Sequence, residues 1–147
     1  MIYTDLTKKA MQIAYDAHYG QVDRGNTPYI CHPLHLADQM DTEEETLTAL
    51  LHDVLEDTHE TARSLIEQGI PGDIVENVLL LTRREEETYE AYIGRLLLSG
   101  NRCAMKVKLA DLNHNLDVTR TENNYLPEYL IRRYTEARAR ILRALEL

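Results

Sequence analysis

Residues 50–58 read Leu-Leu-His-Asp-Val-Leu-Glu-Asp-Thr (LLHDVLEDT), so four ionisable side chains interrupt an apolar stretch. If the stretch is helical, His52 and Glu56 lie one turn apart on one face, as do Asp53 and Asp57. His52 and Asp53 then point about 100° apart and can contact one ion from neighbouring directions. Three carboxylates buried close together without a cation would be costly in free energy. The stretch therefore predicts a metal site on a buried helix.

Helical periodicity extends from this stretch along the whole chain. Strand-type alternation is almost absent, and the sequence contains only six Gly and four Pro. Eight segments are predicted to be helical: from 4 or 5 to 20, 30–40, from 41 or 42 through 57, 58–68, 73–82, 88–98, 102–118 and 126–147. We therefore predict an all-α fold, a single compact bundle of roughly eight helices that forms one domain over residues 1–147.

The composition argues against several classes of function. A chain of 147 residues can bury one hydrophobic core. The net charge of −9 argues against nonspecific binding of nucleic acid or of an anionic membrane, because both need a basic surface. No apolar run approaches the roughly 20 residues of a membrane span, and residues 1–9 lack the apolar core of a signal sequence. Cys31 and Cys103 are isolated, which predicts a reducing, cytoplasmic setting.

Two further segments offer metal ligands. Asp111 is flanked by Ala and Leu on a predicted helix, and His32 stands at a junction between a loop and a helix. Together with His52 and Asp53 they would form a set of two imidazoles and two carboxylates, which suits Mn, Fe, Zn or Mg. For Asp111 the alternative is a surface ion pair with Lys108, three residues earlier. For His32 taken singly, the alternative is a loop histidine without a ligand role.

Four stretches carry a resemblance to a known family. They are residues 17–21 (AHYGQ), 27–34 (TPYICHPL), 49–58 (ALLHDVLEDT) and 107–111 (VKLAD), the last followed by Asn115. In this order they are similar to the HD-domain hydrolases of the RelA/SpoT group, specifically the small stand-alone alarmone hydrolases. The resemblance extends over most of the chain, and the set of motifs is far more specific than the His-Asp dipeptide alone.

The resemblance implies a site and a reaction. Members of the family remove pyrophosphate from the 3′ position of guanosine tetra- or pentaphosphate. One divalent ion, usually Mn²⁺, would be bound by His32, His52, Asp53 and Asp111. The acidic pair that matches Glu56 and Asp57 would work beside the ion on the attacking water, with support of the site as the alternative role. Arg24 and Asn115 would contact the nucleotide.

Two departures from the family pattern fall on substrate contacts. Family members usually carry Arg-Lys where this chain has Asp23-Arg24, so a cation is replaced by an anion at Asp23. The family also usually has Arg at the position of Leu112 and Thr at the position of Val118. We therefore expect metal-dependent hydrolysis to be retained more firmly than specificity for a guanine alarmone.

We therefore predict a phosphohydrolase that acts on a nucleotide, and the resemblance implies, most specifically, the removal of 3′-pyrophosphate from a guanosine or adenosine alarmone. One alternative is an HD-type phosphatase or phosphodiesterase for another nucleotide. A second alternative, from a different class, is a non-catalytic module that senses a nucleotide. The Arg-rich stretch 132–143 is interpreted as a solvated face, with a contact in a homo-oligomer as the alternative.

Overall fold

The computed structural model describes residues 1–146, which form helices joined by short loops. The α-helices are α1 (Asp5–Ala17), α2 (Cys31–Asp38), α3 (Glu43–Leu51), α4 (Val54–Asp57), α5 (Ala62–Glu67), α6 (Gly72–Leu80), α7 (Tyr89–Ser99), α8 (Arg102–Asn115) and α9 (Glu128–Glu146). Two 3₁₀ turns, Val118–Arg120 and Glu122–Asn124, lie between α8 and α9. The predicted all-α bundle is confirmed, since this range contains no strand and one of its nine helices is the single turn α4.

Helix α3 lies at the centre of the fold. It packs against α1, α2, α6 and α8. Every residue from Thr46 to Leu51 is buried, and the hydroxyls of Thr46 and Thr48 donate to carbonyls one turn earlier in the same helix. Each fully buried leucine contributes about 1.5–3 kcal/mol to folding. The end of α3 is therefore held firmly in the core, and the His-Asp dipeptide follows directly after it.

The helix that carries residues 50–57 is interrupted, contrary to the sequence prediction. Regular α-helix ends at Leu51 and resumes at Val54, while Asp53 has φ −107° and ψ −3°. The His52 ring accounts for the break, because its Nδ1 lies 2.7 Å from the Ala49 carbonyl oxygen, the normal acceptor for the Asp53 amide. The prediction that His52 and Glu56 share one continuous helical face is therefore wrong.

Three other helix boundaries also differ from the predicted ones. The helix predicted at 58–68 is shortened to α5, since Thr61 caps it by accepting from the Ser64 amide. Helix α8 ends at Asn115 instead of residue 118. The terminal helix begins at Glu128, and Leu147 lies outside the described residues.

None of the helices in residues 1–146 is both long enough and apolar enough to cross a membrane.

Candidate metal centre

The four predicted ligand residues come together at one point in the interior. His32 lies in the first turn of α2, His52 and Asp53 form the break between α3 and α4, and Asp111 comes from α8. His32 Nε2 lies 2.9 Å from Asp111 Oδ1 and 3.2 Å from His52 Nε2. His52 Nε2 lies 3.0 Å from Asp53 Oδ2 and 3.6 Å from Asp111 Oδ1. Three separate segments thus place two imidazoles and two carboxylates side by side.

These separations fit a divalent ion. Two ligand atoms bonded at about 2.1 Å to one ion lie about 3 Å apart in neighbouring octahedral positions. Donor atoms of His32, His52 and Asp53 all lie within 4.8 Å of one another, so these three residues can hold a metal ion. Asp111 adjoins both imidazoles and offers a second carboxylate. The nitrogen and oxygen donors match the set that the sequence predicts.

Each of the two imidazoles is held in orientation by a hydrogen bond at Nδ1, the ring nitrogen that faces away from the cluster. His52 Nδ1 donates to the Ala49 carbonyl, which leaves Nε2 to face the cluster. His32 Nδ1 lies 2.7 Å from His114 Nδ1, and the two rings are parallel. Burial and the nearby Arg120 lower the pKa of His114 to about 3, so His114 is neutral and can accept the hydrogen of His32 Nδ1. With Nδ1 protonated, His32 Nε2 is available as a ligand.

Asp111 also forms the ion pair considered as its alternative role, but in the interior instead of at the surface. Its Oδ2 accepts from Lys108 Nζ at 2.8 Å, while Oδ1 faces the imidazoles. Burial disfavours the charged form of both residues, but the opposite charge of the partner outweighs burial. The pKa of Lys108 is therefore raised well above its usual value, and the pKa of Asp111 is lowered well below its usual value. The two roles of Asp111 are therefore compatible, since each uses a different oxygen.

Asp53 is held between an imidazole and a phenol. Burial opposes its ionisation, but the adjacent His52 lowers the pKa of Asp53 to about 2. Asp53 and Asp111 in turn raise the pKa of His52 well above its ordinary value, against the effect of burial. The Tyr29 hydroxyl donates to Asp53 Oδ2. Tyr29 is absent from the residues that the sequence predicts for the site, although it lies in one of the family-like stretches.

Glu56 and Asp57, the predicted acidic pair on α4, differ in their position relative to the cavity. Asp57 lines a cavity beside the metal ligands, and partial burial together with Asp53 raises its pKa to about 6. The Glu56 side chain is not among those that line this cavity. Partial burial and the Asp53 and Asp57 carboxylates raise the pKa of Glu56 to about 7, while Lys108 lowers it in part. Asp57 is therefore the member of the pair that adjoins the open space.

The cavity has a volume of about 660 Å³ and contains both predicted substrate contacts. Arg24 and Asn115 line it together with Tyr29 and Asp57, and Tyr134 adds an aromatic ring. Asn115 Nδ2 donates to Asp111 Oδ1 at 3.1 Å, so this side chain joins the cavity wall to the metal ligands. The cavity therefore adjoins the cluster through Tyr29 and Asn115, which line it and hydrogen-bond to Asp53 and Asp111.

Arg120 is a second cation in this cavity, and it lies outside the residues predicted from sequence. Its guanidinium pairs with Asp23 Oδ2 at 3.3 Å and donates to the His114 carbonyl at 2.9 Å. The other Asp23 oxygen accepts from the amides of Gly25 and Thr27. Asp23 therefore has protein partners on both oxygens. The spacing Asp-x-Gly is the one sequence signal of this turn, and nothing in the sequence points from it to Arg120.

No family model matches the chain, but several curated proteins do. A guanosine-3′,5′-bis(diphosphate) 3′-pyrophosphohydrolase of Haemophilus influenzae is 35% identical over 116 residues, which are 71% of this chain and 17% of that protein. The bifunctional (p)ppGpp synthase/hydrolase SpoT of Escherichia coli is 34% identical over 122 residues, 74% of this chain and 17% of that protein. The predicted resemblance to the RelA/SpoT group is confirmed. The chain spans about a sixth of the length of these relatives.

A solved structure confirms the RelA/SpoT-type helical fold. It is described as a metazoan ortholog of SpoT that hydrolyses ppGpp and plays a role in starvation responses. The two folds superpose with a TM-score of 0.75 over 99% of this chain and 88% of the metazoan chain, at 22% sequence identity. The arrangement of helices is therefore shared with that protein.

Proposed function

We propose that residues 1–147 form a single HD-type domain that hydrolyses a nucleotide with the help of a divalent metal ion. The proposed reaction is removal of 3′-pyrophosphate from a guanosine or adenosine alarmone. The observation that carries the proposal is the convergence of His32, His52, Asp53 and Asp111 beside a cavity that also presents arginine side chains. The similarity to curated 3′-pyrophosphohydrolases supports this choice of reaction.

His32, His52, Asp53 and Asp111 are the residues that would hold the ion. We propose Mn²⁺ for the site because the resemblance to the RelA/SpoT group implies it. The nitrogen and oxygen donors suit Mn²⁺ but also Fe²⁺, Zn²⁺ and Mg²⁺, which are the alternatives. A bound divalent ion polarises a phosphate oxygen and lowers the pKa of a coordinated water molecule. Tyr29 would keep Asp53 in place through its hydroxyl, and His114 would keep the His32 ring in place.

The acidic residues of α4 would handle the proton of the attacking water. We assign the principal role to Asp57, since it lines the cavity and its pKa of about 6 leaves it mostly ionised at neutral pH. Glu56, whose pKa is lowered in part by Lys108, would have a supporting role in the site as a second carboxylate. The water oxygen bonds to the phosphorus attached to the ribose 3′ oxygen, and that ester bond breaks. The 3′ oxygen takes up a proton, and pyrophosphate leaves.

A panel of nucleotides tests this proposal. Pyrophosphate and phosphate release would be measured with Mn²⁺ from guanosine and adenosine 3′,5′-bis(diphosphates) and from ordinary nucleoside triphosphates. We expect pyrophosphate release from a bis(diphosphate), and a fall in kcat of about 10²–10⁴-fold in Asp57→Asn, the range for loss of a general base. Exposed Asp16, on α1 away from the cavity, gives the matched control Asp16→Asn, which should keep full activity. Absence of release from every nucleotide would overturn the hydrolase assignment.

A second candidate is hydrolysis of a different phosphorylated nucleotide. It is favoured by Leu112, which is fully buried where the family has an arginine, and by Asp23, which pairs with a protein cation. Release of phosphate or pyrophosphate from ordinary nucleotides alone would select this candidate. A non-catalytic sensor would be selected if Asp53→Ala abolished metal binding yet left nucleotide affinity unchanged.

We also propose a cytoplasmic location and consider a homo-oligomer through the Arg-rich face of α9. Both cysteines are free, and Cys31 is exposed, which agrees with a reducing compartment. Tyr129, Ile131 and Leu142 are exposed apolar side chains on α9. Cell fractionation tests the location. Light scattering of the purified chain tests the oligomer, and a monomeric mass would remove it.

A further inference from the structure

Asp23 and Arg120 lie 97 residues apart in sequence and form an ion pair in the wall of the cavity. Among residues 1–146, the basic side chains that line this cavity are Arg24 and Arg120. Arg24 is exposed and makes no ion pair with another residue of that range. Arg120 has a side chain only 19% exposed and is held at three points. The two cations therefore differ in how firmly the protein positions them.

Three contacts fix the Arg120 guanidinium. One terminal nitrogen pairs with Asp23 Oδ2, and the other donates to the His114 carbonyl at 2.9 Å and to Asn115 Oδ1 at 3.4 Å. The loop that carries Asp23 packs directly on the Arg120 backbone, since a Cβ at Gly25 would lie 1.8 Å from the Arg120 carbonyl oxygen. A guanidinium has five N–H donors, so donors remain after these contacts. A cation fixed in this way loses little conformational entropy when it binds an anion.

Arg120 also lies close to the candidate metal ligands. Asn115 contacts Arg120 through Oδ1 and Asp111 through Nδ2, so one amide group separates the guanidinium from Asp111. A nucleoside with phosphates on both the 3′ and 5′ oxygens could then place one group at the cluster and the other at Arg120. Arg pairs with phosphate through parallel hydrogen bonds. The position thus suits the phosphate that is not being removed.

We propose that Arg120 binds the 5′-phosphate group of the substrate and that Asp23 positions it for this contact. This inference rests on the proposed function for the identity of the 3′ group. It also explains how an anion can stand at Asp23 where RelA/SpoT proteins usually have an arginine. The cation is supplied by the 3₁₀ turn after α8, and the loop residue orients it. Arg120 is therefore a residue that determines specificity for doubly phosphorylated nucleosides.

Binding measurements test the proposal separately from turnover. Affinity would be measured for guanosine 5′-diphosphate 3′-diphosphate and for guanosine 3′-diphosphate, using Mn²⁺-loaded Asp57→Asn protein so that both ligands persist. Arg120→Met should raise the Kd of the first ligand about 10- to 100-fold, the scale of one or two charge-assisted hydrogen bonds, and leave the second within about threefold. Equal effects on both ligands, or no effect on either, would overturn the assignment.

Two further variants test the planar shape of the guanidinium and the positioning role of Asp23. Arg120→Lys keeps the charge but not the planar fork and should weaken binding of the doubly phosphorylated ligand by less than Arg120→Met. Asp23→Asn keeps an acceptor for the Gly25 and Thr27 amides and should also raise that Kd. In the double variant Asp23→Asn/Arg120→Met, the effect of Asp23→Asn should disappear; additive effects would overturn the positioning role.

The proposed reaction and the proposed role of Arg120 can fail separately, and the measurements distinguish the two cases. If the unmodified protein releases no pyrophosphate but Arg120→Met still weakens only the doubly phosphorylated ligand, the reaction is wrong and the role of Arg120 stands. If the protein hydrolyses the bis(diphosphate) and Arg120→Met changes kcat but not KM, the 5′-phosphate assignment is wrong and the reaction stands.

Discussion

Lys108 gives the candidate metal centre a positive charge of its own. Its ammonium group is buried, pairs with Asp111 at 2.8 Å and lies 5.1 Å from the centre of the Tyr92 ring. A buried lysine is tolerated only with a close anion, and removal of one member of such a pair leaves an uncompensated charge. Lys108 and Asp111 therefore stabilise each other before any metal ion binds.

Asp111→Asn should consequently destabilise the metal-free protein by about 3–5 kcal/mol, because it leaves Lys108 buried and unpaired. The free energy of unfolding in urea, measured with a chelator present, checks this. The double variant Lys108→Met/Asp111→Asn should recover most of the loss. Asp16→Asn, at an exposed aspartate, serves as the control and should change stability by less than about 0.5 kcal/mol. Similar values for Asp111→Asn and Asp16→Asn would show that the pair is not stabilising.

His52 makes metal binding depend on pH. Burial disfavours the protonated ring, but Asp53 and Asp111 outweigh it and raise the pKa of His52 above its ordinary value, which favours the protonated ring in the metal-free protein. The attraction between the His52 cation and the carboxylates is fully present below the unfolded pKa of about 6.5 and is lost as pH rises through the higher folded pKa. A ligand nitrogen must be deprotonated, so uptake of an ion displaces this proton.

We expect binding of Mn²⁺ at pH 7 to release about one proton, and the affinity to increase with pH. Calorimetric titrations in two buffers of different ionisation enthalpy would measure the released proton. His59→Gln, at an exposed histidine away from the cluster, should leave the result unchanged. Identical apparent enthalpies in the two buffers would contradict the assignment of the proton to the site.

At the scale of elements, the loop between α1 and α2 depends on its close approach to the 3₁₀ turn after α8. Gly25→Ala would place a Cβ against the Arg120 carbonyl oxygen and should destabilise the protein by about 1–3 kcal/mol, as overpacking does. It should also raise KM, since the two segments that hold Arg120 must separate. Thermal melts and steady-state kinetics check both effects.

The matched control is Gly72→Ala in the first turn of α6, where an added Cβ meets no atom within 4 Å. This variant should have unchanged or slightly increased stability, because alanine favours helix. If both alanine variants behave alike, the contact between Gly25 and the Arg120 backbone is not a constraint on the fold.

The positions of the helices could be predicted from the sequence, but breaks within a helix and contacts between distant segments could not. Periodicity located the helices because one face of each must reach the core, and capping shifted boundaries such as the start of α5 at Ala62. The break at Asp53 could not be read from periodicity, since it arises from the contact of His52 with the Ala49 carbonyl. Likewise, the pairing of Asp23 with Arg120 depends on how distant segments pack, and the sequence shows no local pattern for it.

At the scale of the whole molecule, the ligand residues are carried by elements that already belong to the core. Helix α3 is buried along most of its length, and α2 and α8 pack directly against it. Removal of the ion should therefore leave the helices in place. We expect circular dichroism of the chelated protein to be native-like, and Mn²⁺ to raise Tm by an amount that grows with its concentration. An unfolded chelated protein would show that the core alone is insufficient.

The buried ammonium group of Lys108 has a consequence for how the protein acquires its metal ion. Lys108 pairs with Asp111, and His52 lies beside Asp53, so a basic side chain of the protein itself adjoins each of these two carboxylates. We therefore expect a newly made chain to fold before it binds its ion. On this basis we expect the ion to exchange without unfolding of the protein, and the supply of divalent ions in its surroundings to decide which one is bound.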